Sequence, residues 1–80
     1  VSERAKFRGR LAEAEDLAHK LSLKANGLVI ALRDNLDPLT ELADLPVDII
    51  GQQALELHQA VMELRAEHDK IDRITKLLED

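Results

Sequence analysis

Three histidines and two acidic clusters are the residues in this chain whose types could support chemistry. Glu15 and Asp16 precede His19 by four and three residues, one helical turn, so the three could approach a single cation. A dinuclear carboxylate site built in a helical bundle needs two Glu-x-x-His pairs and two further inward-facing glutamates. That set is absent here, and His19 falls beside the solvent-facing Glu15, so it reads as a surface residue. His68 has Asp72 one turn later and falls on an apolar stripe. A polar residue at such a seam position fixes register or oligomeric state. It could also make association depend on pH, because imidazole titrates near neutrality. His58, next to Met62 on the helix, reads as interface packing.

Glu13, Glu15 and Asp16 in the first half, with Glu63 and Glu67 in the second, faintly resemble the magnesium carboxylates of all-α nucleotide pyrophosphatases. That likeness implies a divalent-metal-dependent nucleotide hydrolase, but those enzymes add helices and lysines for which this chain has no room. Solvated acidic faces are the simpler reading. There is no glycine-rich phosphate loop, nucleophile elbow or Cys/His metal spacing. The expectation is a non-enzymatic protein with no cofactor and no metal.

Arg4, Lys6, Arg8 and Arg10 form a basic cluster that could contact phosphate, with the salt dependence such contacts carry. Phe7 is the one aromatic residue, so base stacking is not available to support it. The simpler reading pairs the cluster with acidic residues at the other end of the chain.

The elements that position these groups follow from composition and period. Eighty residues, 45% hydrophobic and 34% charged with no cysteine, allow one small domain with an aliphatic core and no disulfide or thiolate staple. The Ala/Glu/Lys/Leu/Arg bias is that of long helices or coiled coils. No stretch approaches the ~20 apolar residues that span a bilayer, and no apolar run of signal-peptide length follows the basic N-terminus. The expected location is therefore cytoplasmic, without membrane contact. A net charge of −5 argues against a general nucleic-acid binder.

Phe7, Leu11, Ala14, Ala18, Leu21, Ala25, Leu28 and Leu32 alternate in steps of four and three, the seam of a heptad helix. Ser2 is the predicted N-cap, with Ala5 at the third helical position. Gly27 interrupts this run and is read as permitting a close helix approach, as are Ala14, Ala18 and Ala25. Ile50, Ala54, Leu57, Val61, Leu64, His68, Ile71, Thr75 and Leu78 repeat the alternation. Leu55 and Met62 lie beside that second stripe, and Ile74 and Leu77 broaden its end.

These runs predict helices over about 2–34 and 47–79. The connector, 35–46, carries Asp37-Pro38 as N-cap and first residue of a short helical turn over 38–43. The predicted fold is an all-α antiparallel helical hairpin of coiled-coil type, a single domain. Antiparallel pairing brings Arg4 to Arg10 within reach of Asp72, Glu79 and Asp80, and Glu13 and Asp16 near Arg65. Two helices bury one seam only, which leaves Val29, Ile30, Leu55 and Met62 as the predicted dimer interface of a two-fold four-helix bundle. Leu36, Leu39, Leu42 and Leu45 either plug the bundle end or form a contact site for another protein.

The stretch "IALRDNLDP", between a basic first helix and an Ala/Leu-rich second one, resembles a type of small two-helix protein encoded by Mu-like prophages. The resemblance implies a bacterial cytoplasm and an accessory phage role. It implies no catalytic or binding residue.

Overall fold

A computed structural model describes residues 2–79. Helix α1 spans Glu3–Asn35 and helix α2 spans Val47–Glu79, with a single 3-10 turn, Leu42–Asp44, between them. The helices pack against each other antiparallel: Arg4 reaches the carbonyl of Leu78, while Asn35 meets Gln53 at the other end. The hairpin measures 61 × 16 × 14 Å with a radius of gyration of 18.1 Å. An all-α hairpin of two long helices is what the two heptad runs predict.

Ser2 caps α1 as expected, its Oγ accepting the amide of Ala5 at 3.2 Å and so satisfying one of the free N–H groups of the first turn. All eight α1 seam residues are buried or half-buried; Ala14, Ala18, Leu21 and Ala25 are the most enclosed. The α2 seam departs from expectation. The residues facing α1 are Ile50, Gln53, Leu57, Ala60, Leu64, Glu67, Ile71, Ile74 and Leu78, every one buried or half-buried. On alternate rungs the contact position thus lies one residue earlier than expected. Ala60 and Ile74 are the most enclosed residues of α2, Val61 and Thr75 beside them stay half-buried, and Ala54 and His68 are exposed. His68 is therefore not in the hairpin seam; Glu67 occupies that rung.

The physical reason is that α2 carries apolar side chains on both sides of its stripe. Periodicity alone locates the stripe but not which edge α1 covers. The one-residue shift also moves Leu55 and Met62. Each lies about 200° from a seam neighbour, at ~100° per residue, and so on the outward face of α2 rather than beside the contact.

The connector corrects two further expectations. Asp37 and Pro38 close a tight turn, not a helix: Asp37 Oδ1 accepts the Leu39 amide at 2.9 Å and the Asp37 carbonyl accepts the Thr40 amide at 3.1 Å. Proline at the second position with Asp before it is suited to such a turn. The helical turn comes later, at Leu42–Asp44, and α2 opens when the Pro46 carbonyl accepts the Ile50 amide. Nor do the leucines plug the end. Leu39 is 90% and Leu42 84% exposed, and only Leu45 is half-buried.

No glycine brings the helices together. A Cβ added at Gly27 would meet nothing within 4 Å, so its expected role in close approach is not realised.

Candidate interaction surfaces

Two grooves run along opposite flanks of the hairpin, and their chemistry differs. The first, about 510 Å³, lies toward the open end, where the start of α1 meets the end of α2. Its floor is Phe7, Ala14, Leu17, Ile74 and Leu77, and its rim carries Arg10, Glu13, Glu67, Lys70 and Arg73. The Arg10 guanidinium sits 6.0 Å from the Phe7 ring centroid, at cation–π range. Glu67 Oε1 accepts from Lys70 Nζ at a long 3.4 Å, while its Oε2 is buried with no hydrogen-bond partner. Sequence reasoning passed over this groove because Leu17 lies off both stripes, Leu77 was read only as broadening the second, and Glu67 looked like one more solvated acid.

The second groove, about 450 Å³, lies nearer mid-length on the other flank. Ala25, Val29, Leu57, Val61 and Leu64 line it, with His19, Ser22, Leu23 and Asn26 completing its walls. No Asp, Glu, Lys or Arg contributes to it. Here α2 shows its spare apolar edge: Leu57 and Leu64 touch the seam with one side and the groove with the other.

The four residues predicted as a dimer interface are all exposed in the hairpin: Val29 40%, Ile30 54%, Leu55 58% and Met62 48%. They do not share one surface. Val29 lines the second groove, Ile30 sits with Arg33 and Asp34 on another side of α1, and Leu55 and Met62 face outward from α2. At the connector tip Leu36, Leu39 and Leu42 are exposed together.

The basic cluster is placed at the open end as expected, but its ion pairs are not those expected. Among the described residues, salt bridges join Lys20 to Asp16 at 3.0 Å and Lys70 to Glu67 at 3.4 Å, both within one helix. Neither Asp72 nor Glu79 pairs with the cluster, and Asp80 lies outside the described residues. Arg4 instead donates to the carbonyl of Leu78, serving an acceptor that the end of α2 leaves free. Arg65 turns to the Met62 sulfur at 3.9 Å rather than to Glu13 or Asp16.

Charge is polarised along the rod. At the open end, residues 2–10 and 72–79 carry Arg4, Lys6, Arg8, Arg10, Arg73 and Lys76 against Glu3, Asp72 and Glu79, three net positive charges. At the connector end, residues 28–57 carry Arg33 against Asp34, Asp37, Glu41, Asp44, Asp48 and Glu56, five net negative charges.

Among the described residues no three acidic or histidine side chains gather as metal ligands would, and no helix is long and apolar enough to cross a membrane. The fold and surfaces define a class, the all-α helical hairpin. No protein-family model, curated protein or solved structure matches the chain.

Proposed function

We propose that this chain is a non-enzymatic helical module that works through protein–protein contact, first of all with a second copy of itself in a four-helix bundle. The surface area carries this reading. The hairpin exposes 6217 Å². A compact monomer of its 9.0 kDa mass would expose about 4,900 Å². The excess of about 1,300 Å² exceeds the ~800 Å² that one partner contributes to a standard stable interface. Among the described residues none is below 2% exposed, so the two helices alone enclose no fully buried layer.

Light scattering across a concentration range tests it, with refractive-index detection because the chain has no Trp or Tyr. The expected mass is twice the 9.0 kDa of one chain. A monomer at all concentrations would overturn the reading. Beyond self-association, the exposed Leu36, Leu39 and Leu42 support a contact site for another protein at the connector tip. The likeness of "IALRDNLDP" to prophage proteins supports an accessory role in a bacterial cytoplasm.

One observation favours a second reading, a small nucleic-acid-associated factor. Lys6, Arg8 and Arg10 are exposed and lack an ion pair among the described residues. A gel shift at low salt, lost when Arg8 and Arg10 become Ala, would support phosphate contact, since such binding releases counterions. No shift at low salt would remove this reading.

A further inference from the structure

We propose that the second copy docks on the groove formed by Ala25, Val29, Leu57, Val61 and Leu64, and that it docks head to tail, the basic open end of each hairpin beside the acidic connector of the other. The inference rests on the homodimer reading above and adds to it a face and a direction.

The face follows from comparing the two grooves. The fully buried core of an interface is depleted of charge, because an ion taken from water loses its hydration and is costly to bury unless well paired. The open-end groove would bury Arg10, Glu13, Glu67, Lys70 and Arg73. The mid-length groove would bury aliphatic side chains, with Ser22, Asn26 and His19 at its margin. The strict heptad stripe of α2 points the same way. Its Ile50, Leu57, Leu64, Ile71 and Leu78 edge is shared with α1, and Ala54, Val61, His68 and Thr75 flank it on the groove side. A helix in a four-helix bundle has two neighbours, and the spare edge of α2 supplies the surface for the second.

The direction follows from charge. A two-fold axis along the hairpin or across it both surround each helix with antiparallel neighbours, so helix dipoles do not choose between them. The net charges do. The parallel arrangement sets three positive charges against three, and five negative against five. At a bundle spacing of ~8–10 Å these ends lie about one Debye length apart in 0.1 M salt, close enough to repel. Reversal puts each basic end against an acidic one.

The chain has no cysteine, so a single Glu41→Cys variant places one spin label at each connector tip. The head-to-tail dimer predicts a label separation near the 61 Å length of the hairpin. The parallel dimer predicts roughly two helix diameters, ~20–25 Å. A mass of two chains with the short distance overturns the direction and leaves the homodimer standing. A single-chain mass overturns both. The face is tested by a matched pair of exposed positions, Val29 at 40% in the proposed groove and Leu17 at 43% in the other. Val29→Glu should halve the mass with helical circular dichroism retained, and Leu17→Glu should leave the dimer intact. The reverse pattern overturns the face. Raising NaCl from about 50 to 500 mM should weaken the dimer several-fold, because the end-to-end attraction is screened; tightening with salt would count against the direction.

Discussion

Asn35 Nδ2 donates to Gln53 Oε1 at 2.9 Å across the two helices, a part-buried bond between residues at the last position of α1 and the second turn of α2. It is the one side-chain-to-side-chain hydrogen bond joining the helices among the described residues, and it ties their register beside the connector. Gln53→Ala should cost about 0.5–1.5 kcal/mol, the range for a single such bond. Urea unfolding followed by circular dichroism measures it. An unchanged midpoint would mean that water serves Asn35 equally well.

Glu67 stands in the seam with its side chain 12% exposed and one oxygen unpartnered. Replacing a poorly satisfied charge at such a site by an apolar side chain removes a desolvation cost, so Glu67→Leu should stabilise by roughly 1 kcal/mol or more. His68→Leu, one residue on and exposed, should leave the stability of the hairpin within about 0.5 kcal/mol. Equal gains from the two variants would return His68 to the seam.

Ile74 is 7% exposed against α1, and Ile74→Ala should cost about 2–4 kcal/mol through lost burial and the cavity left behind. Leu55, 58% exposed on the outward face, should lose less than about 0.5 kcal/mol on truncation. Thermal melts of the two variants decide whether the seam is assigned correctly.

Gly27 and Gly51 lie inside helices with negative φ and open space around the missing Cβ. Alanine at each should therefore stabilise by about 0.5–1 kcal/mol, through helix propensity and a less disordered unfolded chain. The sites are far apart, so the double variant should show the sum. A loss at either position would reveal a close neighbour that the hairpin alone does not have.

Leu39 and Leu42 contribute little to the hairpin, so changing both to Ser should leave the melting temperature unchanged while removing apolar surface from the tip. A clear destabilisation would show that these side chains are covered in solution.

The α1 seam was legible residue by residue, because its eight apolar positions keep an unbroken four-three alternation, while Leu17, Leu23, Val29 and Ile30 fall off that stripe and are exposed. The α2 seam was legible only to within one position. Val61 and Ala60 both satisfy an apolar pattern, and so do Ile74 and Thr75; the choice between them is made by the partner helix, which one helix's own periodicity does not encode. Glu67 was missed for the same reason. A glutamate between Ala66 and His68 looks solvated until the shift by one residue turns it inward.

Helix ends were read to within about a residue because Ser2, Asp37-Pro38 and Pro46 are local stop and start signals. The interior of the connector was less legible. Asp37 can cap a helix or close a turn, and the short Asp37 Oδ1 to Leu39 contact selects the turn. The grooves were not legible at all, since each requires side chains from both helices in a known register.

The slender shape has a hydrodynamic consequence. By the size scaling of compact domains, a radius of gyration of 18.1 Å belongs to a globule of about 250 residues, three times this chain. A lone hairpin would therefore tumble slowly about its short axes and leave a sizing column early, where a folded globule of much greater mass would run. Pairing side by side, flank against flank, nearly doubles the mass per unit length and adds little length. Monomer and dimer would then differ more in their weight than in how far they reach, and elution volume alone would report a dimer where there is none.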